Sequence, residues 1–163
     1  MNNEGNWAMD EFGGAKVGDA RLNMRLIKLA DRLAEAPSAS IPGACNGHAE
    51  TQGAYRLFDQ ARADKRGLSW ETVLAPHMAR TTLRMVEHPV VLCLQDTTEL
   101  DFNGQAIEGL GKLSYEAQRG MYLHPTYAVS PQRLPLGILD TWMWARPLDI
   151  AESRRWIEGY ERC

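Results

Sequence analysis

The chain has 163 residues, enough for one ordinary domain or for a small helical module followed by part of a larger one. With 44% hydrophobic and 24% charged residues it has the composition of a globular protein rather than a disordered tail, and no apolar run approaches the roughly 20 residues of a membrane span. The net charge of −3 does not suggest nucleic acid, but it is unevenly spread: residues 1–86 hold 11 Lys/Arg against 10 Asp/Glu, and residues 87–163 hold 7 against 11.

The N-terminus has no basic region followed by an apolar stretch, so a cytoplasmic location without a membrane partner is expected. Cys45, Cys93 and Cys163 form an odd set without paired spacing, which argues against a disulfide framework or a zinc site; Cys93 reads as a small core residue. A short helix is expected over Trp7 to Phe12. From Asp19 to Ala36 the apolar residues Leu22, Leu26, Ile27, Leu29 and Leu33 recur at helical spacing, with Asp19 as N-cap and Pro37 as the stop. Pro37 to Gly43 reads as a loop. Gly47 to Asp59 reads as a helix that turns Ala54, Leu57 and Phe58 to the core, and Ser69 caps another that runs to Glu87 with a kink or break at Pro76.

The period changes at Pro89. Val90 to Leu94 is a continuous apolar run, expected to be a strand covered on both faces, and it delivers Asp96 from the end of a buried element. Leu100 to Gly104 suggests a short strand, Gly104 to Gly111 a loop, and Tyr122 to Val129 with Leu136 to Trp144 a hairpin with a long turn. Trp142 and Trp144 alternate and should share one face as packing residues. Glu152 to Arg162 reads as the start of a further helix. The fold class expected is α+β: a helical domain over 1–88, then the first strands of a mixed core over 89–163.

Two groups of residues invite functional readings. Arg21, Arg25 and Lys28 on one helix, with Arg56 on the next, suit DNA contact, since Lys and Arg supply salt-dependent phosphate affinity and Arg can read base edges. A solvated helix face explains the same pattern. Arg62, Lys65 and Arg66 form a loop cluster with the same two readings. Asp96 suits a metal ligand, or a strand-end Asp that caps nearby backbone N–H groups. Thr97, Thr98 and Glu99 could orient it or simply face water, and His48, His77, His88 and His124 lack metal-motif spacing.

The motifs Gly18-Asp19-Ala20-Arg21 with Arg25-Leu26, Ser40-Ile41-Pro42 with Ala44-Cys45, Ala54-Tyr55-Arg56-Leu57-Phe58, Leu74-Ala75-Pro76-His77, Gln95-Asp96-Thr97-Thr98-Glu99-Leu100, Gly109-Leu110-Gly111 and Gly137-Ile138-Leu139-Asp140 with Trp142-Met143-Trp144-Ala145-Arg146 occur in this order along nearly the whole chain. The ordered set resembles the N-terminal part of bacterial insertion-sequence-4 family transposases, the transposon-5-like group. The resemblance implies a helical domain that grips transposon-end DNA, followed by a ribonuclease-H-like core in which Asp, Asp and Glu hold two divalent ions, Mg²⁺ or Mn²⁺.

Asp96 matches the first of these carboxylates, as catalytic and metal-binding residue; the motifs of the other two do not occur. Two-metal chemistry needs several carboxylates converging on ions about 4 Å apart. Asp140 and Glu99 are the nearest substitutes and are expected not to serve. The chain is therefore expected to be a truncated, inactive transposase that binds inverted-repeat double-stranded DNA and no tightly held metal. An inhibitor-like protein that pairs with full-length transposase or with itself, or competes for the ends, is the alternative.

Overall fold

The computed structural model describes residues 7–62, 68–115 and 117–146, with side chains left undescribed at 60–62. The chain divides after Val90 into a helical unit and a sheet unit. The helix expected at 152–162, along with Lys65, Arg66 and Cys163, lies outside the described residues, as does the Arg62 side chain.

The helical unit consists of α1 (Trp7–Phe12), α2 (Ala20–Glu35), α3 (Ile41–Ala44), α4 (His48–Arg62) and α5 (Trp70–Val86). Asp19 caps α2: its Oδ1 accepts from the backbone N–H of Arg21 at 2.9 Å and of Leu22 at 3.0 Å. The apolar stripe of α2 buries Leu22, Leu26 and Leu29 against Ala54 and Leu57 of α4, together with Ala15, Val17 and Leu68. Each large side chain withdrawn from water in this way contributes about 1.5–3 kcal/mol, and the cluster fixes α2 against α4. Phe58 is not part of it: at 45% exposed it faces solvent, because its neighbour Leu57 already occupies the inward position of that turn.

Two further expectations are corrected here. The Pro37–Gly43 loop closes into the single turn α3, where Ser40 Oγ accepts from Gly43 N–H and Pro42 sits in the first turn, a position without need of an N–H donor. Helix α5 runs past Pro76 without a break. It starts in a reciprocal cap: Thr72 N–H donates to Ser69 Oγ at 3.3 Å, and Ser69 N–H donates to Thr72 Oγ1 at 2.9 Å.

A buried polar cluster joins α1 to α5. Glu11, only 9% exposed, receives Arg84 as a fork, Nη1 to Oε2 at 2.9 Å and Nη2 to Oε1 at 2.8 Å, and His77 Nδ1 lies 2.5 Å from Oε1. Thr81, fully buried, donates its hydroxyl to the His77 carbonyl and accepts from Arg84 Nη2. Burial by itself would raise the Glu11 carboxyl, but the hydrogen bond and charge of Arg84, then His77, hold it below the usual carboxylate range.

The sheet unit is antiparallel: β1 (Leu92–Gln95), β2 (Thr98–Asp101), β3 (Gly111–Lys112), β4 (Arg119–Val129) and β5 (Pro135–Trp144), every strand pairing with β4. β1 and β2 run end to end along one side of β4 in a single register, Gln95 facing Thr126 and Thr98 facing Leu123. Asp96 and Thr97 therefore fall opposite Pro125 and His124. Proline has no N–H to give a ladder, so one long strand is interrupted at this point. Thr97 Oγ1 bridges the gap to His124 Nδ1 at 2.7 Å. β3 and β5 share the other side of β4, and the β4–β5 register slips after Thr126 and again after Ala128, where Gly137 takes φ 128°.

The expected second strand thus begins earlier than Leu100, and the Gly104–Gly111 loop ends in the unexpected strand β3. Trp142 and Trp144 do share a face, stacked at 4.2 Å, with Tyr122 at 5.1 Å from Trp144 and Arg146 over the Tyr122 ring. The expectation of a first strand covered on both faces is corrected. Leu92 and Leu94 are 45% and 50% exposed and Cys93 is exposed, because nothing among the described residues packs closely over either face of β1.

Candidate nucleic-acid interface

Positions 21, 25, 28 and 32 of α2 follow a helical repeat, so Arg21, Arg25, Lys28 and Arg32 share one stripe, which flanks the apolar stripe of Leu22, Leu26 and Leu29. Facing it from α4 are Ala49, Glu50, Gly53 and Arg56. Together with Leu29, Cys45 and Ala54 these residues, Arg21 excepted, line a groove of about 270 Å³ between the two helices. The small residues matter to its shape. A Cβ at Gly53 would stand 4.0 Å from Cγ and Nε of Arg25, so the Arg25 side chain runs alongside a wall that Gly53 keeps low.

Of the four basic residues singled out from sequence, Arg25, Lys28 and Arg56 come together in this groove. Arg21 lies one turn before Arg25, with an 88% exposed side chain and its guanidinium 3.9 Å from Asp19. The groove also holds two residues that sequence reasoning did not select, Arg32 and Glu50. Arg32 could have been found by continuing the stripe one more turn; Glu50 could not, because its role depends on α4 being folded against α2.

Glu50 is the electrostatic centre of the groove. Its carboxylate lies 2.6 Å from Lys28 Nζ and 3.0 Å from Arg32 Nε, and it accepts the Asn46 backbone N–H at 2.8 Å. Arg32, then Lys28, then that backbone donor hold its carboxyl down at about 2. Arg32 is held above its already high value by Glu50 and by Glu35, 2.9 Å from Nη1. Two of the four groove cations are thus neutralised internally. Arg25 and Arg56 have no acidic partner among the described residues.

Residues 4–63 match the family model for transposase DNA-binding. The matched segment contains α1 to α4 and so both helices that build the groove, while α5 and the sheet lie beyond it. The match supports reading this segment as a transposase-type DNA-binding domain with DNA as its partner. Among the described residues no helix is long and apolar enough to cross a membrane.

Asp96 sits outside the DNA-binding domain and outside any core. It is exposed at the β1–β2 interruption, and its Oδ1 accepts the N–H of its neighbour Thr97 at 2.9 Å. The expectation that a buried strand delivers it is corrected, since the edge position of β1 leaves it in water. Glu99 pairs across from Tyr122 and Asp140 across from Thr126, whereas Asp96 stands opposite Pro125. Side chains alternate along a strand, so Glu99 and Asp140 project from the face opposite to that of Asp96. Glu99 is engaged elsewhere: its Oε1 accepts Ser114 N–H at 2.9 Å. Among the described residues no three His, Cys, Asp or Glu side chains are grouped to hold a metal ion.

Proposed function

We propose that the chain binds the inverted-repeat ends of a transposon of the insertion-sequence-4, transposon-5-like kind, seating backbone phosphates in the α2–α4 groove. The observation that carries this reading is the pair Arg25 and Arg56, two guanidiniums that have no acidic partner among the described residues and face one groove inside the transposase DNA-binding segment. Arg guanidinium presents a planar fork suited to phosphate oxygens, and a groove lined from two helices fixes where the backbone lies. Arg21, exposed and next along the stripe, extends the contact beyond the groove. Lys28 contributes less than its charge suggests, because Glu50 already holds it.

In this reading Asp96 is the first of the three carboxylates of an Asp-Asp-Glu transposase in a ribonuclease-H-like core. Strand cleavage is no part of this reading, since the described residues gather no group of three His, Cys, Asp or Glu side chains around Asp96.

The test is a mobility-shift series comparing the flanking inverted repeat with a scrambled duplex from low to moderate salt. End recognition predicts tighter binding to the repeat, with Arg25→Ala and Arg56→Ala each weakening both duplexes and flattening the salt dependence by about one unit of log K per log salt. Equal binding to both duplexes would remove the end-specific part, and unchanged binding by both variants would remove the groove.

A further inference from the structure

Resting on the groove as the DNA site, we infer that Glu50 is an internal anion that competes with DNA phosphate for Lys28 and Arg32, and so sets how many phosphates the groove takes. The donors around its carboxylate are those of a phosphate site: an ammonium at 2.6 Å, a guanidinium Nε at 3.0 Å with its Nη2 at 3.5 Å, and the Asn46 backbone N–H at 2.8 Å, just ahead of α4. Backbone N–H groups at a helix start together with Lys and Arg recur wherever phosphates are bound. Here the anion is supplied by the chain.

The placement follows from the sequence. Gly47, at φ 86°, turns the chain into α4, and Glu50 is the third residue of that helix, from which its side chain reaches back to the Asn46 N–H. Helix packing through Leu29, Ala54 and Leu57 then sets this turn against the C-terminal half of α2, where Lys28 and Arg32 stand one turn apart. The Glu50 side chain is 14% exposed, whereas that of Lys28 is 56% exposed. A duplex approaching the groove therefore meets a lysine whose charge is already matched from behind. Arg25 and Arg56, farther along the same groove, are not matched by any acidic side chain among the described residues, so they take the first phosphate and Glu50 withholds the second.

Glu50→Gln is the direct test, because the amide keeps the volume and can still accept the Asn46 N–H while losing the charge. In fluorescence anisotropy of the full chain with the inverted-repeat duplex and a scrambled duplex, the variant is expected to bind both at least about threefold more tightly at low salt. Its log K against log salt should be about one to two units steeper than wild type, one for each cation released. Lys28→Met separates this from a purely structural role. It should change binding less than about twofold in the wild-type background and abolish most of the gain in the Glu50→Gln background.

An unchanged slope, or weaker binding by a Glu50→Gln protein that melts like wild type, overturns the inference. Should Glu50→Gln fail to fold, Lys28→Met alone still decides: a loss as large as that of Arg25→Ala overturns it, and a near-neutral result supports it. Loss of duplex binding in wild type and Glu50→Gln alike would overturn the groove reading itself and this inference with it. Binding by wild type with Glu50→Gln unchanged would overturn only the role of Glu50.

Discussion

Glu11→Ala is the substitution through which the helical unit can be taken apart most informatively. The change removes the carboxylate that receives both terminal nitrogens of Arg84, at 2.9 and 2.8 Å, and the His77 contact, and so cuts a buried polar cluster that ties α1 to α5. Hydrogen bonds to charged groups contribute about 1.5–3 kcal/mol each, and stranding a buried partner costs about 3–5 kcal/mol. The Arg84 side chain is 34% exposed, however, so water can rehydrate part of the guanidinium once Glu11 is gone. The net loss is therefore set at about 2 kcal/mol, which for a unit of this size lowers the melting temperature by about 8–16 °C. Thermal unfolding followed by circular dichroism at 222 nm reads the helices directly. Arg84→Met should destabilise by a similar amount, and the double variant should be little worse than either single one, since both remove the same interaction. A shift below about 3 °C in Glu11→Ala, or additive losses in the double variant, would refute the cluster as the tie.

Acid should weaken the helical unit in a defined window. The Glu50 carboxyl is held at about 2, below its ordinary 4.5, so the stability it contributes is complete above pH 4.5 and is lost as pH falls toward 2. A urea-midpoint series from pH 6 to pH 2 should decline in that range, less steeply for Glu50→Gln, and parallel curves would refute the linkage. Gly120→Ala should disrupt the sheet, since its Cβ would stand 2.1 Å from the Leu100 carbonyl oxygen and 2.8 Å from Leu113 Cδ1; a wild-type urea midpoint would contradict the strand register. Asp96→Asn should leave stability within about 0.5 kcal/mol, because the side chain is exposed and, among the described residues, bonds only to its neighbour's N–H. A larger loss would mean that Asp96 has partners beyond Thr97.

Much of the helical unit is legible in the chain because its signals are local. Asp19 and Ser69 are cap residues whose partners lie two or three positions away, and the Leu22–Leu26–Leu29 stripe is set by the helical period alone. The sheet is less legible, because strand limits depend on pairing. Nothing near Asp96 announces that Pro125, 29 residues later, interrupts the strand there, and an apolar run such as Val90–Leu94 reads the same whether covered or bare. Phe58 misleads for the same reason: only the packed position of Leu57 decides which of the two turns inward. At the site, basic residues were visible by type and spacing, whereas their neutralisation was not. Glu50 lies 22 residues from Lys28 in sequence yet 2.6 Å from it in space, a contact that no local pattern announces.

In the proposed function Arg25 and Arg56, uncompensated among the described residues, carry the affinity of the α2–α4 groove for transposon-end DNA. The most direct measurement is the slope of log K against log salt for the Arg25→Ala/Arg56→Ala double variant on the inverted-repeat duplex, beside wild type. The double variant should show a slope smaller by about two units and an affinity reduced at least tenfold at low salt, with wild-type melting behaviour. A double variant that keeps both the slope and the affinity of wild type would contradict the proposed function.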